Sequence, residues 1–109
     1  MLDKEELYCQ LMHMKNAIVA LHDHLAPEFR TRDLTLLKYS FTQKQILELE
    51  DYFMQITMEK SKVSKEDFRK KLAEIKGLPH LTKEVAEEVL LSYKSDGLHT
   101  KVINNILKK

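Results

Sequence analysis

The chain has 109 residues, which suits one domain around a single core, since a chain of this size buries roughly two-thirds of the surface it exposes when unfolded. Eighteen basic residues against seventeen acidic ones leave no global field to attract nucleic acid or an anionic membrane, so any such binding must be local. Two glycines, two prolines and a dominance of Leu, Glu, Lys, Ile and Met favour helix over strand, and no apolar run approaches the roughly 20 residues that a membrane span requires.

The lone Cys9 has no intramolecular partner for a disulfide. The opening residues Asp3, Lys4, Glu5 and Glu6 lack a signal peptide's basic start and apolar centre. A cytoplasmic protein is therefore expected.

In the first predicted helix the apolar residues fall at Leu7, Leu11, Met14, Ile18, Leu21 and Leu25, with successive spacings of 4, 3, 4, 3 and 4. This is the alternation of a coiled-coil heptad, sustained for three repeats. Pro27 stops the helix near residue 25 or 26, because the residue before proline is driven out of the α region. Two readings of the seam stand: it packs on the rest of the domain, or it also meets a second copy or a partner helix. The next segment, with Thr31 as N-cap and Leu34 and Leu37 on one side, predicts a short connector helix.

A capping box follows. Thr42 is placed to cap, Gln45 to reciprocate and Phe41 to staple onto Ile46, which predicts a helix from residue 43 to about 60 with Ile46, Leu49, Phe53 and Ile56 inward. The device recurs at Ser64 and Asp67, with Val63 and Phe68 as the staple, for a helix over about 65–76 bearing Phe68, Leu72 and Ile75 and closed by Gly77. Thr82 opens a helix over about 83–94 carrying Val85, Val89 and Tyr93 and stopped by Gly97. A last helix follows from His99 with Val102, Ile103, Ile106 and Leu107 apolar. The expected fold is all-α, a compact bundle of five or six helices. The heptad helix occupies residues 1–26 of a single domain over 1–109, and residues 29–109 form the main bundle.

The stretch FTQKQILELEDYF at 41–53 resembles the first helix of a homeodomain. The discriminating third helix of that family is absent: there is no Trp, and the helix over 83–94 sets Glu84, Glu87 and Glu88 against Lys83 and Lys94, a balance that phosphate would repel. The homeodomain reading is rejected. A looser nucleic-acid reading rests on residues 59–76, with seven basic residues against four acidic ones. Its candidate contacts are Lys62, Lys65, Arg69, Lys70 and Lys76. The competing reading is a solvated helix face with ion pairs such as Glu66 with Lys70, and the segment lacks the aromatic stacking set of single-strand binders.

No metal site, cofactor or catalytic constellation is expected. His22 and His24, two apart on a helix, point about 200° from each other and do not chelate one ion as an i, i+4 pair does. Cys9 lies off the seam with no basic neighbour closer along the helix than Lys4 or His13, so nothing activates its thiol. Glycine-rich phosphate loops and nucleophile elbows are missing, and Asp96-Gly97 lacks the other ligands of a calcium loop.

Taken whole, the layout resembles the small helical YhaI-type family of Bacillus and relatives, whose function is unknown. The points of similarity are the leading helix of about 20 residues, Leu36-Leu37 before a capped helix, Phe68 and Leu72 in the middle, and Tyr93 followed by Gly97-Leu98 ahead of a short final helix. The resemblance implies an all-α fold and oligomerisation, and it assigns no site residues. The resulting expectation is a noncatalytic protein-interaction protein, a regulator or inhibitor of a protein partner, self-associating through Leu7, Leu11, Met14, Ile18, Leu21 and Leu25. The alternative is a nucleic-acid-binding regulator.

Overall fold

The computed structural model describes residues 3–108, so residues 1, 2 and 109 of the expected 1–109 domain lie outside the description. The described residues form six helices and no strand: α1 (Lys4–Leu25), α2 (Arg32–Lys38), α3 (Gln43–Glu59), α4 (Lys65–Lys76), α5 (Lys83–Ser95) and α6 (Thr100–Leu107). The chain divides into two compact units, residues 1–30 and residues 31–109.

The first unit is α1 and its tail. The Asp3 carboxylate accepts the Glu6 N–H at 2.8 Å, and Glu5 and Glu6 in the first turn suit the positive end of the helix dipole. At the other end the Ala26 N–H closes on the His22 carbonyl, immediately before Pro27. A His22 Nε2 contact with the Phe29 carbonyl folds the tail back on the last turn.

In the second unit α5 is the central element. It packs against α2, α4 and α6, while α3 packs on α4 and α6, and α4 also meets α6. Phe53 of α3 is the hub of the core, with ring centroids 5.7 Å from Phe68, 5.3 Å from Tyr93 and 4.9 Å from His99. Leu49, Leu72, Val89, Leu90, Ile103 and Ile106 enclose this ring cluster and are themselves buried.

The caps fix where the helices begin. Thr42 Oγ1 accepts the Gln45 N–H at 3.1 Å, and Gln45 Oε1 accepts the Thr42 N–H at 3.0 Å. Ser64 and Asp67 repeat this exchange at 3.1 and 3.2 Å. Thr31 and Thr82 cap with one bond each. Each such cap contributes on the order of 1 kcal/mol. Gly77 closes α4 with φ +69, a left-handed conformation that glycine adopts without a Cβ penalty.

Three details differ from the sequence reading. The face α2 buries is Thr35 and Leu36, whereas Leu37 is exposed. The cause is the buried hydroxyl pair between Thr35 and Ser92 of α5, whose small side chains let the two helices approach closely. Glu66 pairs with Arg69, one turn along, rather than with Lys70, because the Arg69 fork reaches both carboxylate oxygens while also donating to the Leu81 carbonyl at 2.9 Å. The final helix starts at Thr100, with His99 in the left-handed region and no side-chain cap.

Polar ties complete the second unit. Lys76 Nζ donates to the Tyr39 and Ser40 carbonyls and to Gln45 Oε1 at 2.9, 3.1 and 3.1 Å, joining the end of α4 to the turn before α3. Glu88 accepts from Lys38 and from the Tyr39 hydroxyl, joining α5 to the end of α2. The Arg32 backbone N–H donates to Asp96 at 2.9 Å, and its guanidinium meets Glu50 at 3.1 Å.

Candidate functional site

The heptad seam lies on one face of a continuous helix, and no residue of α1 is buried. Leu7, Leu11, Met14, Ile18, Leu21 and Leu25 are between 43% and 71% exposed. With Leu7 at heptad position d, the a positions are Leu11, Ile18 and Leu25 and the d positions are Leu7, Met14 and Leu21. The flanking e and g positions hold Tyr8, Gln10, Lys15, Ala17, His22 and His24, so Lys15 is the one side chain there with a permanent charge. Flanks of this kind place little like-charge repulsion beside the seam and give it few ion pairs with which to choose a partner. Cys9 is exposed on the same helix, off the seam.

The basic segment at 60–76 is divided by the fold. Lys65 pairs with Glu87 at 3.7 Å and Lys71 with Glu74 at 3.6 Å. Arg69 is held by Glu66 and Leu81, and Lys76 by its three oxygen acceptors. The hydrogen bond from Arg69 holds the Glu66 carboxyl below its usual range and, reciprocally, raises the Arg69 guanidinium. Of the candidate nucleic-acid contacts, Lys65, Arg69 and Lys76 thus serve internal contacts, whereas Lys70 is exposed on α4. Lys62 stands elsewhere, in the loop after α3.

That loop borders a feature the sequence does not announce, a groove of about 830 Å³ between the end of α3 and α6. Lys60 and Lys62 from the loop line it together with Lys101 of α6 and Lys108 just after α6, over an apolar floor that includes Ile56, Val102 and Ile106. A second cavity of about 210 Å³ beside Ser64 and Leu90 contains both Lys65 and Glu87, so its charges neutralise each other. The histidines do not converge: His22 contacts Phe29, and His99 stacks in the ring cluster with Phe53 and Tyr93. Among the described residues no three His, Cys, Asp or Glu side chains are grouped to hold a metal ion. No helix of the described residues is long and apolar enough to cross a membrane.

Comparison with protein-family models, curated proteins and solved structures yields no match.

Proposed function

We propose that this chain is a noncatalytic protein-interaction module, a regulator or inhibitor of a protein partner, that self-associates by pairing α1 with α1 of a second copy. The observation that supports this reading is the exposed seam of six large apolar residues at strict heptad spacing. Proteins that work as monomers rarely leave so large a contiguous apolar face in water. A second copy offers the same 3.5-residue period, which lets knobs enter holes along the whole seam. A partner protein with an amphipathic helix of that period would compete for the same face, which gives self-association a regulatory use.

The test is mass by light scattering across a dilution series, for the wild type and for the double variant Leu11→Glu with Ile18→Glu. Wild type is expected to exceed the monomer mass and fall toward it on dilution. The variant is expected to stay monomeric with its bundle intact, because a carboxylate in a dry seam is strongly disfavoured. A wild type that is monomeric throughout would remove the proposal.

A further inference from the structure

We propose that the groove between α3 and α6 is a binding site for an amphiphilic anion, a carboxylate carrying an apolar chain. Its volume of about 830 Å³ lies in the range of small-molecule sites, roughly 300–1,000 Å³. The floor is apolar: Ile56, Val102 and Ile106 lie buried beneath it, and Val63, partly buried, and Met54, half exposed, offer apolar surface to the groove. The rim is cationic. Lys60, Lys62, Lys101 and Lys108 line the groove, and no Asp or Glu does so among the described residues.

These four lysines make no ion pair among the described residues, in contrast with Lys38, Lys65 and Lys71, each of which faces a carboxylate. Glu59, the acid nearest in sequence, is engaged by Gln55 and Ser61 and does not line the groove. Four like charges around one concavity repel one another, and an anion at their centre relieves that repulsion. Thr100, Lys101 and Val102 also line the groove and form the first turn of α6, whose amides have no intrahelical acceptor and add donors of the same preference.

The chemistry favours a small amphiphile over nucleic acid. A single strand needs exposed ring faces as well as cations, and the one ring in the lining, His99, is stacked on Phe53 in the core. An apolar floor is wasted on a phosphate backbone but covers an acyl chain, while the lysines meet the carboxylate at its end.

The full chain, labelled with nitrogen-15, is titrated with decanoate below its micelle concentration. Decanol, decyltrimethylammonium and acetate are run in parallel, with single-stranded oligothymidylate as a further arm. Decanoate alone is expected to shift the amides of Thr57, Lys62, Lys101 and Val102 to saturation. Lys62→Glu with Lys101→Glu, two exposed positions, is expected to weaken it at least about tenfold through loss of charge-assisted bonds while the spectrum stays folded, and Lys62→Arg with Lys101→Arg to retain it. Absence of saturable shifts, equal binding of decanol or of the cationic analogue, unchanged affinity in the Glu variant, or shifts confined to residues 4–25 would overturn the assignment. Shifts with oligothymidylate and none with decanoate would give the groove to nucleic acid instead.

Discussion

Tyr93 carries the sharpest stability prediction. Its side chain is buried at the centre of the second unit, with ring contacts to Phe53 and His99 and the Arg32 guanidinium 5.9 Å from its centroid. Its hydroxyl has no hydrogen-bond partner among the described residues. A buried unpaired hydroxyl costs about 1–3 kcal/mol, and Tyr93→Phe removes it while keeping the ring and all its packing. The variant is expected to be more stable by about 1 kcal/mol, which for a unit of this size raises Tm by roughly 4–8 °C. Burial, reinforced by Glu50 and Asp33 against the opposing Arg32, pushes the Tyr93 hydroxyl from 10.0 up to about 12. The folded state therefore holds this proton more tightly than the unfolded chain. Below pH 10 that contribution is fully present, and between pH 10 and 12 it is lost at about 1.4 kcal/mol per pH unit. Phenylalanine has no proton to lose, so the stability gap between the two proteins widens as pH rises through this window. Urea unfolding of both at pH 7 and pH 11 measures each part. A variant less stable than wild type by more than about 0.5 kcal/mol, or a gap identical at the two pH values, would refute the reasoning.

Two further expectations concern the polar ties of the second unit. Thr35→Val or Ser92→Ala alone strands the other buried hydroxyl and is expected to cost about 1–3 kcal/mol, whereas the double variant should cost clearly less than the sum; additive values in a double-mutant cycle would mean that the two hydroxyls do not depend on each other. Lys76→Met removes three hydrogen bonds from an ammonium group and is expected to lower stability by about 1–3 kcal/mol in urea unfolding, and a change below about 0.5 kcal/mol would show that the Tyr39–Ser40 turn is held by other contacts.

Much of the fold is written in local chemistry. The bounds of α4 follow from Ser64 with Asp67 at one end and Gly77 at the other, and the start of α3 from Thr42 with Gln45, because a cap satisfies orphan backbone groups within a few residues of itself. The inward face of α2 escapes this logic. Leu34 and Leu37 satisfy helical spacing, yet Thr35 and Leu36 are buried, because Ser92, far along the chain, supplies the partner that makes a buried threonine acceptable. The start of α6 is equally obscure: His99 adopts a left-handed conformation without a side-chain cap, and its ring is held instead by stacking on Phe53.

The candidate sites divide in the same way. The seam of α1 is a repeat along one helix and is visible as a string of spacings. The groove joins Lys60 and Lys62 to Lys101 and Lys108, which only the approach of α3 to α6 brings together. The charge run at 60–76 pointed to Lys62 but gave no means of separating it from Lys65, Arg69 and Lys76, whose acceptors lie on α5, before α5 and around the turn into α3.

The central claim, association through α1, is tested most directly by amide hydrogen exchange of the full chain at two protein concentrations. Pairing predicts that residues 4–25 exchange more slowly at the higher concentration while α3 to α6 are unchanged, since only the helices that meet another copy gain protection from it. Rates in α1 that are the same at both concentrations, and equal to those of the Leu11→Glu, Ile18→Glu variant, would contradict it.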